Sequence, residues 1–152
     1  MSRLELRVPP VAVVLLTGVA MWLLARALPW PGDLLGGLPA AVLIAAAGVA
    51  VAVAGVVAFR RARTTVNPMK PEASSALVER GVYGLTRNPM YLGMALVLAA
   101  WALWLGSVAA VSVLPMFTLY MTRFQIVPEE RALAAKFGVA FAAYRSRVRR
   151  WL

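Results

Sequence analysis

The 152-residue chain contains no cysteine and no histidine. Disulfides, thiolate nucleophiles, imidazole bases and the usual zinc ligands are therefore excluded. Charge is also scarce: only 14% of residues are charged, against roughly 25% in soluble domains, and acids number six. Any chemistry must come from carboxylates, hydroxyls, arginines or a reactive cofactor. What fills the chain instead is apolar, 62% of all residues with a mean hydropathy of +0.77, which marks an integral membrane protein. The net charge of +10 does not point to nucleic acid, because the cations flank apolar segments and form no run interleaved with aromatics. Positive-inside topology accounts for them better.

Met1 to Arg7 reads as a short basic amphipathic lead. The 18 uncharged residues from Val8 to Ala25 then suffice for one span if Arg26 reaches the interface. A cleaved signal peptide would have a shorter apolar core and a small-residue cleavage site, which the Trp22 to Arg26 end lacks, so the helix is expected to be retained. Pro29-Trp30-Pro31-Gly32-Asp33 has turn composition and an interfacial aromatic. Leu34 to Phe59 supplies 26 uncharged residues, the second span. Gly48, Ala52 and Gly55 give that span a small-residue face for a close helix neighbour, which would also permit a homodimer.

A 28-residue polar connection from Arg60 to Arg87 follows. Connections this long are usually functional or disordered. Thr64 to Pro71, with two prolines, should be extended or turning, and Leu77 to Tyr83 returns toward the membrane. The 35 uncharged residues from 88 to 122 would make one helix of about 52 Å, too long for a core of about 30 Å. The chain must turn, and Leu105-Gly106-Ser107 divides the stretch into a short hairpin whose second arm is expected to kink at Pro115. Asn88-Pro89 carries the chemistry of a helix start. Beyond Pro128, Leu133, Phe137, Phe141, Tyr144, Val148 and Trp151 recur at spacings of three and four, as in a basic amphipathic helix on the membrane surface.

The fold expected is thus all-α, about four transmembrane helices and an interfacial C-terminal helix. Residues 1–60 form two spans and 61–152 the functional region of a single membrane domain. If four helices cross, all cations but Arg26 fall on one side, which puts both termini and the long loop in the cytoplasm, with a bacterial inner membrane as the expected location. One membrane face then gathers the loop, the Arg87 to Tyr91 helix start and Glu129-Glu130. One of these two acids could simply pair with Arg87 or Arg123. A site with an arginine, tyrosines, a helix start and a carboxylate also suits a zwitterionic nucleoside such as S-adenosylmethionine. Methyl transfer fits the inventory, since the electrophile arrives with the cofactor.

Gly81-Val82-Tyr83, Arg87-Asn88-Pro89-Met90-Tyr91-Leu92-Gly93, Glu129-Glu130, Leu133, Phe137-Gly138 and Tyr144 with Arg145 and Val148 together resemble the isoprenylcysteine carboxyl methyltransferase family, with its phospholipid methyltransferase relatives. The likeness covers about residues 64 to 150, and the ordered combination is more specific than any piece. It implies a membrane-embedded S-adenosylmethionine-dependent methyltransferase acting on a lipid-like or amphiphilic small molecule, in contact with membrane lipids and not with nucleic acid. By the same resemblance Ser75, Ala76, Leu77, Val78, Tyr83, Arg87, Asn88, Pro89, Met90, Tyr91 and Glu129 would hold the cofactor. Arg87, Arg123 and Glu129 would act in catalysis. Two departures bear on this. The family usually has histidine at position 88, and asparagine suits cofactor contact better than acid-base work. Members that methylate a prenylcysteine carboxylate carry a substrate-facing arginine where this chain has Gln125, so either Arg123 takes that role or the substrate is another lipid. The rival readings are an NADPH-dependent membrane sterol-type reductase, whose 2′-phosphate the Arg60 to Lys70 loop could bind, and a noncatalytic membrane interaction protein of the same fold.

Overall fold

The structure, a computed structural model, describes residues 5–29, 37–65, 67, 69 and 71–152. The Trp30 to Asp33 part of the expected turn, Arg3, and Val66, Pro68 and Lys70 of the expected extended segment lie outside the described residues. No strand occurs among the described residues. Six α-helices among the described residues carry the fold: α1 (Pro10–Ala27), α2 (Gly37–Arg61), α3 (Pro89–Trp104), α4 (Val108–Val111), α5 (Leu114–Met121) and α6 (Val127–Arg147). Helices α1 and α2 are each long and apolar enough to cross a membrane, as the uncharged runs require. The chain is a multi-pass membrane protein.

The small-residue face of α2 is used inside the chain. Gly48 and Gly55 are buried against α3, and a Cβ built on Gly93 would lie 2.4 Å from the Gly48 carbonyl oxygen and 2.7 Å from the Ala52 Cβ. The α2–α3 contact is therefore backbone on backbone, and the face that would permit a dimer is already taken by α3. Gly93→Ala must push the two helices apart, and we expect it to cost about 1–3 kcal/mol. A lowered Tm in detergent, with Gly18→Ala as the tolerated control because its nearest neighbour would be 4.0 Å away, checks this.

The hairpin forms where it is expected. Gly106 takes φ +62°, and Ser107 caps α4 by accepting from the Ala110 N–H at 3.2 Å. Its second arm breaks at Ser112–Val113 and restarts as α5, with Pro115 in the first turn, so the kink is an interruption ahead of the proline. Beyond α5 the chain does not leave the helix. Thr122–Ile126 make one π-helical turn that runs directly into α6. Residues 108–147 would span about 60 Å if straight, twice the bilayer core, so this stretch is too long to lie within the membrane as one straight span and its polar end, α6, extends beyond it.

Two clusters hold these pieces. Val13 and Met21 of α1, Leu98 and Ala102 of α3, and Phe117, Met121 and Ile126 form the membrane core. Phe141, Tyr144 and Val148 pack with Leu77, Leu133 and Phe137, so much of the α6 apolar stripe covers the 60–87 loop. Trp151 goes elsewhere: it packs on the membrane core and donates its indole N–H to Thr122 Oγ1 at 3.1 Å. The C-terminal segment after α6 thus doubles back over the start of α3. The Arg87 N–H donates to the Arg149 carbonyl at 3.0 Å, and Thr86 Oγ1 and Asn88 Nδ2 both donate to the Arg150 carbonyl, at 3.2 and 2.9 Å.

Candidate functional site

Three chain segments meet at the head of α3, and each brings what its local chemistry makes available. Pro89, in the first turn of α3, fixes the helix start. Asn88 has the position of an N-cap but caps nothing with its side chain; its amide is spent on the C-terminal tail. Behind them Tyr91 projects to α6, where its phenol donates to Glu129 Oε1 in a short hydrogen bond. The 3-10 turn Gly81–Gly84 buries Tyr83, whose carbonyl accepts the Tyr144 hydroxyl at 2.8 Å and whose ring meets Phe59 at 5.2 Å between centroids.

These residues enclose a cavity of ≈ 80 Å³. Ala76, Leu77, Val78, Tyr83, Arg87, Asn88, Met90, Tyr91 and Glu129 line it, as nine of the eleven residues implied by the resemblance. The other two do not. Ser75 is exposed and turned to the loop, its hydroxyl donating to the Arg63 carbonyl at 3.1 Å, while Ser74 takes its place on the wall. Pro89 is fully buried beside Gly55. With Glu130, the residues Phe59, Leu133, Phe141 and Tyr144 complete the lining. Phe59 is the last uncharged residue of the second span, and Leu133, Phe141 and Tyr144 belong to the stripe that periodicity assigns to the membrane surface. Nothing in their spacing separates a face that covers a pocket from one that meets lipid.

The adjacent acids have opposite fates. Glu130 is clamped between Arg87 Nη2 at 2.8 Å and Arg150 Nη2 at 2.7 Å. Burial alone would raise its carboxyl, but the hydrogen bonds from Arg150 and Arg87 outweigh it and hold the group below the usual carboxylate range. Arg87 also donates to the Arg145 carbonyl at 3.2 Å and, by a short bond, to that of Val148. Its guanidinium is a staple for α6 and the tail, with only the buried Nε left without a partner. Glu129 pairs with no cation among the described residues. Loss of solvent pushes its carboxyl up to about 8, partly countered by the Tyr91 hydrogen bond and increased by the nearby Glu130 charge. Burial likewise lifts the Tyr83 phenol above its ordinary range, with Tyr144 and Glu129 adding to it.

Arg123 and Gln125 are not brought to this cavity. Arg123 is half exposed and pairs with Glu5 at 3.0 Å, a carboxylate that also meets Arg131 at 3.2 Å. Gln125 is completely buried and donates Nε2 to the Val8 carbonyl at 2.6 Å. The π-helical turn rotates both residues toward the N-terminal segment, whose Leu6 N–H bonds the Phe124 carbonyl at 3.0 Å. Expected as substrate ligands, the two instead latch the start of α1 to the turn before Glu129. The sequence offers no sign of that rotation.

Residues 38–140 match the phospholipid methyltransferase family. An uncharacterized protein of Haemophilus influenzae is 46% identical over 63 residues, which are 41% of this chain and 100% of that protein. No solved structure matches.

Proposed function

Because the chain belongs to the phospholipid methyltransferase family, a family of membrane methyltransferases, we propose that it transfers a methyl group from S-adenosylmethionine to an amphiphilic acceptor at the cytoplasmic membrane face. The observation that carries this reading is Glu129: a carboxylate withdrawn from water, bonded to Tyr91 and left without a cation in a cavity between aromatic and aliphatic walls. A group so placed fits an ammonium or the hydroxyls of a ribose. Arg87, on the same wall, keeps one buried N–H, at Nε, without a partner. Tyr83, Tyr91 and Phe59 supply flat apolar surface for the remainder.

At ≈ 80 Å³ the cavity is smaller than the roughly 300–1,000 Å³ of ligand sites, so the Ala76–Val78 wall, which belongs to the loop, has to give way for a nucleoside. S-adenosylmethionine brings the electrophilic methyl itself. The protein then need only orient the acceptor and exclude water, which the Leu133, Phe141 and Leu77 side chains do. Among the described residues no unpaired cation lines the cavity, since Arg87 is spent on Glu130 and Arg123 on Glu5. An acceptor whose reacting group is neutral and carries a lone pair, such as an unprotonated amine, suits this better than a prenylcysteine carboxylate.

Calorimetric titration of the purified protein with S-adenosylhomocysteine at pH 7, in buffers of different ionisation enthalpy, tests the cofactor. Loss of solvent, which pushes the Glu129 carboxyl up to about 8, favours its protonated form at pH 7, and a ligand hydroxyl or ammonium favours its ionised form. Binding should therefore release close to one proton, and none in Glu129→Gln. NADPH should neither bind nor compete; binding of NADPH instead would contradict the reading.

A further inference from the structure

A second concavity lies on the other side of the loop, and the transfer reading does not use it. The last turns of α2 and residues 77–82 border a groove of ≈ 890 Å³. Its α2 wall, Ala54, Val57 and Ala58, is apolar and stands at the end of a membrane span. Its rim is basic: Arg61, Arg80 and Arg147 converge there, and the single acid, Glu79, is occupied by Arg147 at 2.7 Å. Arg61 and Arg80 are exposed and form no ion pair among the described residues.

We infer that this groove binds an anionic membrane phospholipid, its phosphate between Arg61 and Arg80 and an acyl chain along the Ala54–Ala58 wall. A phosphate is the group that two unpaired guanidiniums recognise, by paired N–H donors as well as by charge. The apolar wall, continuous with the span, specifies that the phosphate carries a hydrocarbon tail, and a basic pocket at a membrane boundary is where anionic headgroups collect. Arg60 and Arg63, close in sequence but outside the lining, have charge without that wall. The site is separate from the methyl-transfer cavity, with Leu77 and Val78 as the partition the two share. A lipid seated there presses the movable wall of the cavity from behind.

The test uses the full chain in neutral detergent, titrated with phosphatidylglycerol bearing a photoreactive acyl chain, with phosphatidylcholine of the same chain in parallel. Phosphatidylglycerol should cross-link within residues 54–58, and its apparent affinity should fall about tenfold in Arg61→Gln/Arg80→Gln but stay within twofold in Arg60→Gln/Arg145→Gln, which removes the same charge outside the groove. Equal losses in the two double variants would reduce the effect to general attraction and overturn the site. So would equal labelling by phosphatidylcholine, or full competition by glycerol phosphate, which has no chain. Nucleoside binding plays no part in the readout, so the result is independent of the transfer assignment.

Discussion

Glu129→Ala should weaken S-adenosylhomocysteine binding about a hundredfold, as measured by calorimetry on detergent-purified protein. Charge-assisted hydrogen bonds contribute about 1.5–3 kcal/mol each, and Glu129 is the single unpaired carboxylate on the cavity wall among the described residues. Glu129→Gln should lose nearly as much affinity while keeping an acceptor for the Tyr91 hydroxyl, which separates loss of charge from loss of packing. The same substitution should raise stability. The native carboxyl binds its proton up to about pH 8, far above its unfolded value, so the native state holds more protons than the unfolded chain between about pH 4.5 and 8, and stability falls as pH rises through that window. The Tm advantage of Glu129→Gln over the wild type should therefore be small at pH 5 and grow toward pH 9. A site kept at the expense of stability is common where a protein binds or reacts. Equal Tm values at pH 9, with affinity within twofold of wild type, would remove Glu129 from the binding role.

Arg87→Ala carries the largest expected cost in stability, about 3–5 kcal/mol, because it leaves the largely buried Glu130 short of one partner and frees the carbonyls of Arg145 and Val148. Arg150→Ala should cost less, since Arg150 is about a third exposed and water can replace it. Thermal unfolding with both variants gives the ranking, and acid adds a check: the Glu130 contribution is present above its unfolded value near pH 4.5 and should disappear as pH falls below it. Arg87→Ala should also weaken cofactor binding, partly because α6 and the tail lose the guanidinium bonds to the Arg145 and Val148 carbonyls, leaving the backbone N–H of residue 87 and the Asn88 amide to hold the tail. A variant as stable as wild type would show that the Arg87–Glu130 pair contributes nothing net.

Much of this arrangement is legible in the sequence because membranes leave few options. Uncharged length gives the spans, Gly106 and Ser107 give the hairpin, and the asymmetry of the cations gathers Arg87, Tyr91 and Glu129 at one face. What stays hidden depends on geometry that no period records. The π-helical turn rotates Arg123 and Gln125 away from the cavity, and a one-residue insertion into a helix leaves no compositional trace. The division of labour between Glu129 and Glu130 is equally silent, since identical neighbours differ only in which side of α6 meets Arg150. Tail residues 148–151 read as the end of an amphipathic helix, yet their carbonyls complete the head of α3. The apolar stripe of α6 satisfies the same pattern whether it covers lipid or Leu77.

The most direct test of the proposed reaction is transfer of tritium from methyl-labelled S-adenosylmethionine into solvent-extractable lipid, using membranes that contain the wild-type chain or Glu129→Gln. Label should enter the lipid fraction with the wild type and fall to background with the variant, although the variant remains folded by its Tm. Equal labelling in both membranes, or none with the wild type when total lipid extract is supplied, would contradict the assignment of this cavity to methyl transfer.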